Sequence, residues 1–176
     1  ILSDDEIQIF WRACEALGYP YGTYFQFLLL SAQRRTEASD MTFEEIEGDE
    51  WVIPPARAKN GVRHRVPITP AMKQLLSSSG RNTGYVFTVS GEYPVNNLGR
   101  AASRLKKKMA EISDETYSSS FEEWKPHDLR RTAASGMARC GVFQEVIERL
   151  QNRVSGKFAG VAGIYNRYEY EKEKRE

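Results

Sequence analysis

The dipeptide Asn60-Gly61 does most to limit what this chain can become. Asn followed by Gly puts side by side two residues that accept positive φ easily, the pattern of a tight reversal between antiparallel strands. Short β-favouring runs lie around it at residues 43–47, 51–53 and 63–68, the last two built on Trp51-Val52-Ile53 and Val66-Pro67-Ile68. The expected product is three short antiparallel strands with Lys59 displayed on the turn. On either side the apolar period lengthens to that of helices. Ser3 and Glu6 have the spacing of a capping box, Ile7, Phe10, Trp11, Cys14 and Leu17 recur on one face, and Gly18 stops that helix. A second helix is expected over residues 22–33, a third from Pro70 to near Gly80, and a fourth capped by Asn96 or Asn97 and running to about Ile112. The serine-rich stretch 113–123 reads as a surface loop, Pro126 opens another helix, and further helical segments cover 143–150 and the residues from 158 onward. The fold class is therefore α+β, mainly helical, with a small three-stranded antiparallel sheet.

A chain of 176 residues is the size of one domain with a real core. Its formal net charge is only +1, but the charge is unevenly spread. Residues 36–50 hold Glu37, Asp40, Glu44, Glu45, Glu47, Asp49 and Glu50 without a Lys or Arg, whereas 100–108 hold Arg100, Arg104, Lys106, Lys107 and Lys108 without an acid. A basic face of this kind suits a nucleic-acid backbone, and an ordinary solvated helix surface is the competing reading. Lys106, Lys107 and Lys108 are consecutive, so they cannot all face one groove. The cysteines, Cys14 and Cys140, form no CxxC or Cys/His cluster, so reduced thiols and no structural metal are expected. No apolar run is long enough to cross a bilayer and nothing resembles a signal peptide.

The richest chemical signal is Pro126-His127-Asp128-Leu129-Arg130-Arg131-Thr132. Pro126 fits the first turn of a helix, which sets His127 and Arg130 on one face near a helix start, where an anion is favoured. Arginine offers a planar fork of donors to two phosphate oxygens, and histidine exchanges a proton near neutral pH. Arg131 is also within helical reach of His127, so spacing alone does not select between the two arginines. Upstream, Gln33-Arg34-Arg35-Thr36-Glu37 follows an apolar helical run, and near the end Gly163-Ile164-Tyr165-Asn166-Arg167-Tyr168 places tyrosines in a helix-compatible segment.

Taken in order, Arg34 with Glu37, Lys59 on the turn, His127 with Arg130, and Tyr165 resemble the tyrosine recombinases, and within them the phage and prophage integrases, over essentially the full length. The resemblance implies the recombinase catalytic-domain fold and a DNA strand cleavage in which Arg34 and Arg130 clamp the phosphate. Tyr165 would attack to form a 3′-phosphotyrosine, Lys59 would protonate the leaving 5′ oxygen, His127 would assist proton transfer, and Glu37 would orient Arg34 or its neighbours rather than react. Storage of bond energy in the covalent link implies no cofactor and no metal, in keeping with the absence of any GxxxxGK[ST] stretch. Spacing does not choose between Tyr165 and Tyr168, which share a helical face, and only the resemblance favours Tyr165. It also implies DNA contacts through Arg100, Arg104, Lys106 and Arg131. The implied partners are double-stranded DNA at attachment or core sites, a homotetramer in synapsis, and accessory bending or excision factors. The setting would be the cytoplasm of a bacterial host. Ile1 at the start suggests a catalytic-domain fragment, 1–176, of a protein with upstream DNA-binding domains, and the charged segment 166–176 is a candidate for exchange between protomers.

One position departs from the family pattern. Arg153, in Gln151-Asn152-Arg153-Val154-Ser155, stands where a His or Trp is expected. A permanently charged, larger side chain can still donate to a phosphate oxygen, and an impaired site is equally compatible. A catalytically silent DNA-binding module and a type IB topoisomerase therefore remain as competing readings.

Overall fold

The computed structural model describes residues 1–116, 124–153 and 170–175, with the backbone alone at 114–116. Helix α1 (Asp4–Leu17) starts as expected, with Ser3 Oγ accepting from Glu6 N and Glu6 returning to Ser3 N. Helix α2 (Tyr21–Ser31) carries no charged residue and is buried almost all round, so it forms the axis of the core. Tyr24, Phe25, Phe27 and Leu28 are fully enclosed, each contributing about 1.5–3 kcal/mol through burial. Gly22 permits this: a Cβ there would lie 2.0 Å from the Cys14 carbonyl oxygen, so any side chain would push α2 away from α1.

After Ala32, in the left-handed conformation at φ 55°, the chain turns into the short helix α3 (Arg35–Ser39), for which Arg34 is the N-terminal cap residue. The sheet follows, in the order β1 (Ile46–Glu47), β2 (Glu50–Ile53) and β3 (His64–Pro67), all antiparallel, with Trp51 opposite Val66 and Ile53 opposite His64. Phe27 packs on Trp51 and Phe87, with ring centroids 5.7 and 5.3 Å apart, which ties α2 to the sheet.

Two local expectations are corrected here. The first strand is only two residues long, because Phe43–Glu45 forms a 3-10 turn. Asn60-Gly61 is not a two-residue hairpin: β2 and β3 are joined by the ten residues 54–63, because Pro54 and Pro55 lack the N–H groups that would extend the ladder. The pair instead closes a turn in which Gly61 N donates to Ala58 O at 2.9 Å, with Gly61 at φ +69°.

Helix α4 (Pro70–Ser77) is capped by Thr69, and α5 (Leu98–Thr116) lies along α1. α5 runs beyond Ile112 to Thr116, so residues 113–116, expected in a loop, are helical, and the rest of that stretch up to residue 123 lies outside the described residues. Helices α6 (Pro126–Arg139) and α7 (Gln144–Leu150) follow. Thr132 Oγ1 of α6 accepts from Leu2 N at 3.0 Å, and Trp124 packs edge-on against Phe10. Residues 170–175 return to the sheet: Arg175 pairs with Glu50 at 2.7 Å and Lys174 is buried beside Glu171. This part of the charged segment named above as a candidate for exchange between protomers packs here on its own chain.

Candidate active site

α2 and α3 deliver Arg34 and Glu37, the 54–63 connection delivers Lys59, α6 delivers Arg130, and the end of α7 delivers Arg153. These elements converge on three consecutive backbone carbonyls. As the end of a helix, Leu150, Gln151 and Asn152 have carbonyls with few intrahelical donors, and the surrounding elements supply them. Leu150 O accepts from Gln33 Nε2 at 2.8 Å and from His64 Nε2 at 2.9 Å. Gln151 O accepts from Arg130 Nη2, and Asn152 O accepts from Arg34 Nη2 at 3.0 Å. Gln151 Nε2 returns a bond to Arg130 O at 2.9 Å.

Glu37, 2% exposed, is the acidic counterpart. Its Oε1 accepts from Arg34 Nη1 at 3.3 Å and from the Lys59 backbone N at 3.1 Å, while its carbonyl accepts from Arg57 Nη1 at 3.2 Å. The expected partnership of Arg34 with Glu37 is thus present. Arg130 is 3% exposed, and one of its guanidinium nitrogens, Nη1, has no hydrogen-bond partner among the described residues. Burial brings its pKa down to about 10, and the positive charges of Arg34 and Arg153 push it the same way, against Glu37. The three positive charges repel one another, and an anion bound among them would relieve the repulsion.

His64 sits among the same cations. Burial lowers its pKa to about 4, helped by Lys174, Arg130 and Arg34 and opposed by the bond to Leu150 O. It is neutral at ordinary pH, and because a carbonyl can only accept, Nε2 carries the proton.

The other expected residues fall as follows. His127 is exposed on the first turn of α6, two residues after Lys125, whose backbone N donates to Asp128 at 2.8 Å. Lys59 is exposed on its turn. Arg131 is exposed and pairs with Asp128 at 3.1 Å. Arg100 and Arg104 are exposed on α5, one turn apart. Lys106 instead lies over the Trp124 ring, 5.6 Å from its centroid. Tyr165 and Tyr168 lie outside the described residues, as does the helix expected from residue 158. Cys14 and Cys140 are free thiols. Among the described residues no group of three His, Cys, Asp or Glu could hold a metal, and no helix is long and apolar enough to cross a membrane.

Sequence reasoning missed Gln33, His64, Gln151 and Asn152. A signal existed for three of them: Gln33 follows an apolar helical run immediately before Arg34, and Gln151-Asn152 follow a helix immediately before Arg153.

The profile described as the phage integrase family matches residues 1–169. No curated protein matches the chain by sequence. Among solved structures, a lambda integrase (75-356) dimer bound to a COC' core site superposes with a TM-score of 0.69 at 16% identity, over 88% of this chain and 57% of that one. The lambda integrase catalytic core gives 0.64 at 16% identity, over 85% and 88%. The Tn1549 transposon integrase (aa 82-397) in complex with circular intermediate DNA gives 0.67 at 14%, over 88% and 57%. A lambda integrase tetramer bound to a Holliday junction gives 0.67 at 18%, over 90% of this chain and 46% of that one, so the chain spans about half the length of these larger relatives. The fold is that of a tyrosine recombinase catalytic domain. The chain belongs to the phage integrase family.

Proposed function

We propose that this chain is the catalytic domain of a site-specific DNA recombinase that cleaves and rejoins strands through a 3′-phosphotyrosine, in the integration and excision of a phage, prophage or genomic island. The observation that carries the reading is the buried Arg130 guanidinium, whose Nη1 has no hydrogen-bond partner among the described residues and on which the positive charges of Arg34 and Arg153 both act. Bidentate arginine donors match the non-bridging oxygens of a phosphodiester, and they act most strongly where water is excluded. Tyr165 Oη attacks phosphorus, and its proton departs with His127 assisting. The P–O5′ bond breaks as Lys59 protonates the 5′ oxygen. Glu37 holds Arg34 and the Lys59 backbone in register and takes no part in bond making. The bond energy stays in the protein–DNA link, so rejoining consumes no nucleotide and the reaction uses neither metal nor cofactor.

The relatives named above are bound to a core site, a Holliday junction or circular intermediate DNA. By extension this chain takes double-stranded DNA through the exposed α5 and α6 cations and works as a homotetramer in synapsis with accessory bending or excision factors, in the cytoplasm of its host. Exchange of residues 166–176 between protomers would move the Arg175–Glu50 and Lys174 contacts onto a neighbour. The full-length protein with upstream DNA-binding domains would supply most of the grip on the site.

The test is a nicked half-site cut from the element's own attachment junction. The parent should form a covalent protein–DNA adduct, Tyr165→Phe should form none while binding the DNA normally, and Tyr168→Phe should keep it. An adduct retained by Tyr165→Phe and lost by Tyr168→Phe refutes the assignment. Relaxation of any supercoiled plasmid regardless of sequence would point to a topoisomerase instead.

A further inference from the structure

The ten residues between β2 and β3 carry Lys59 yet share no ladder bonds with the sheet. Their position is set by side chains. Glu37 Oε1 holds the Lys59 backbone N at 3.1 Å. Arg57 bridges Glu45 and the Glu37 carbonyl. On the other side of the site, Asn60 Nδ2 donates to Asn152 Oδ1 at 2.6 Å and Asn152 Nδ2 donates to Asn60 Oδ1 at 3.1 Å. The two residues are 92 positions apart in sequence. Asn152 is a junction: its carbonyl receives Arg34, its amide holds the neighbour of Lys59, and the next residue is Arg153.

We propose that Asn152, through this reciprocal amide pair with Asn60, is a positioning residue for Lys59, latching the turn of the general acid to the segment that bears Arg153. The proposal rests on the recombinase reading above and names how its acid is placed. The chemistry of the pair suits the location. A neutral amide donates and accepts at once, so it fastens the turn without adding a carboxylate that would compete with DNA for Arg34, Arg130 and Arg153. Asn is also among the few residues that tolerate the left-handed backbone found at Asn152, φ +50°. Without the latch, the turn would be tethered only by Glu37, Arg57 and the buried Ala58, and the flexible Lys59 stem would spend less time near the 5′ oxygen.

Asn152→Gly isolates the latch, because glycine keeps the positive φ and the carbonyl that Arg34 uses while deleting the amide. On the full-length protein, hydrogen exchange at the Lys59 and Gly61 amides should quicken, with Trp51 and Val52 in β2 unchanged. Single-turnover cleavage of an ordinary half-site should fall about tenfold, the size expected for losing a pair of partly buried neutral hydrogen bonds. On a half-site with sulfur at the 5′-bridging position, where the leaving group needs little protonation, the fall should shrink to less than about twofold. Lys59→Ala should show the same rescue. Asn60→Ala, which also deletes the turn's own Val62 N–Asn60 Oδ1 bond of 3.2 Å, should lose at least as much as Asn152→Gly, and the double variant should be no worse than Asn60→Ala alone. Equal losses on oxygen and sulfur substrates, fully additive losses, or exchange at Lys59 and Gly61 that does not change would each overturn the proposal. A parent that forms no adduct on either substrate sinks the recombinase reading separately, and the exchange data then decide whether the latch holds the turn.

Discussion

Replacing His64 tests whether the cation cluster around the carbonyls is built as described. The imidazole is 5% exposed, donates Nε2–H to Leu150 O at 2.9 Å, and faces the positive charges of Lys174, Arg130 and Arg34. Burial and those charges hold its pKa at about 4, against 6.5 for the free group. The sign follows from which state binds the proton. Between pH 6.5 and 4 the unfolded chain takes up a proton on His64 and the folded chain does not, so the folded state is fully favoured above 6.5 and loses ground as the pH falls toward 4. At 1.36 kcal/mol per unit of pKa the span is worth roughly 3 kcal/mol. His64→Gln keeps an amide donor for Leu150 O but cannot titrate. Urea unfolding of parent and variant between pH 4 and 8 should give curves that diverge on the acid side, the parent losing about that much more. The carboxylates whose pKa is lowered by hydrogen bonds and nearby cations, Asp4, Glu44, Asp49, Glu111 and Asp128, are common to both proteins and cancel in the difference between the two curves. Stability curves that run parallel from pH 8 down to pH 4 would refute the buried neutral histidine.

Arg153→His should raise the single-turnover cleavage rate roughly ten- to a hundredfold, the gain from one well-placed transition-state contact, and a histidine variant that binds DNA normally but cleaves no faster would establish arginine as a competent residue there. Cleavage of a suicide substrate should proceed unchanged in excess EDTA, since in the proposed mechanism the arginines and Lys59 would perform the charge neutralisation and proton transfer that a metal would otherwise supply; activity that stops on chelation and returns with a divalent cation would overturn that mechanism. The domain should bind DNA weakly and with strong salt dependence, and Arg104→Ala should flatten the slope of log affinity against log salt by about one contact. An unchanged slope in a filter-binding or anisotropy titration would remove α5 from the interface.

The parts of this protein that its sequence determined by itself are those decided within a few residues of chain. The Ser3–Glu6 cap, the helix begun by Pro126 and the pairing of Arg34 with Glu37 depend on neighbours at i+3, so residue type and spacing suffice. The order of the charged residues likewise carried the family. The Asn60-Gly61 turn was legible as a reversal but not as a hairpin, because the Pro54-Pro55 pair ended the ladder before the turn was reached. What tertiary structure alone decided is how the site is held. The Leu150, Gln151 and Asn152 carbonyls are backbone atoms that every residue possesses, so no pattern marks them. Their donors come from Gln33, Arg34, His64 and Arg130, up to 118 positions away. The depressed pKa values of His64 and Arg130 have the same origin, since they come from lost hydration and from charges brought close only when α2, the sheet, α6 and α7 pack together. Side-chain identity is written locally, whereas desolvation and the pairing of backbone acceptors are properties of the assembled volume.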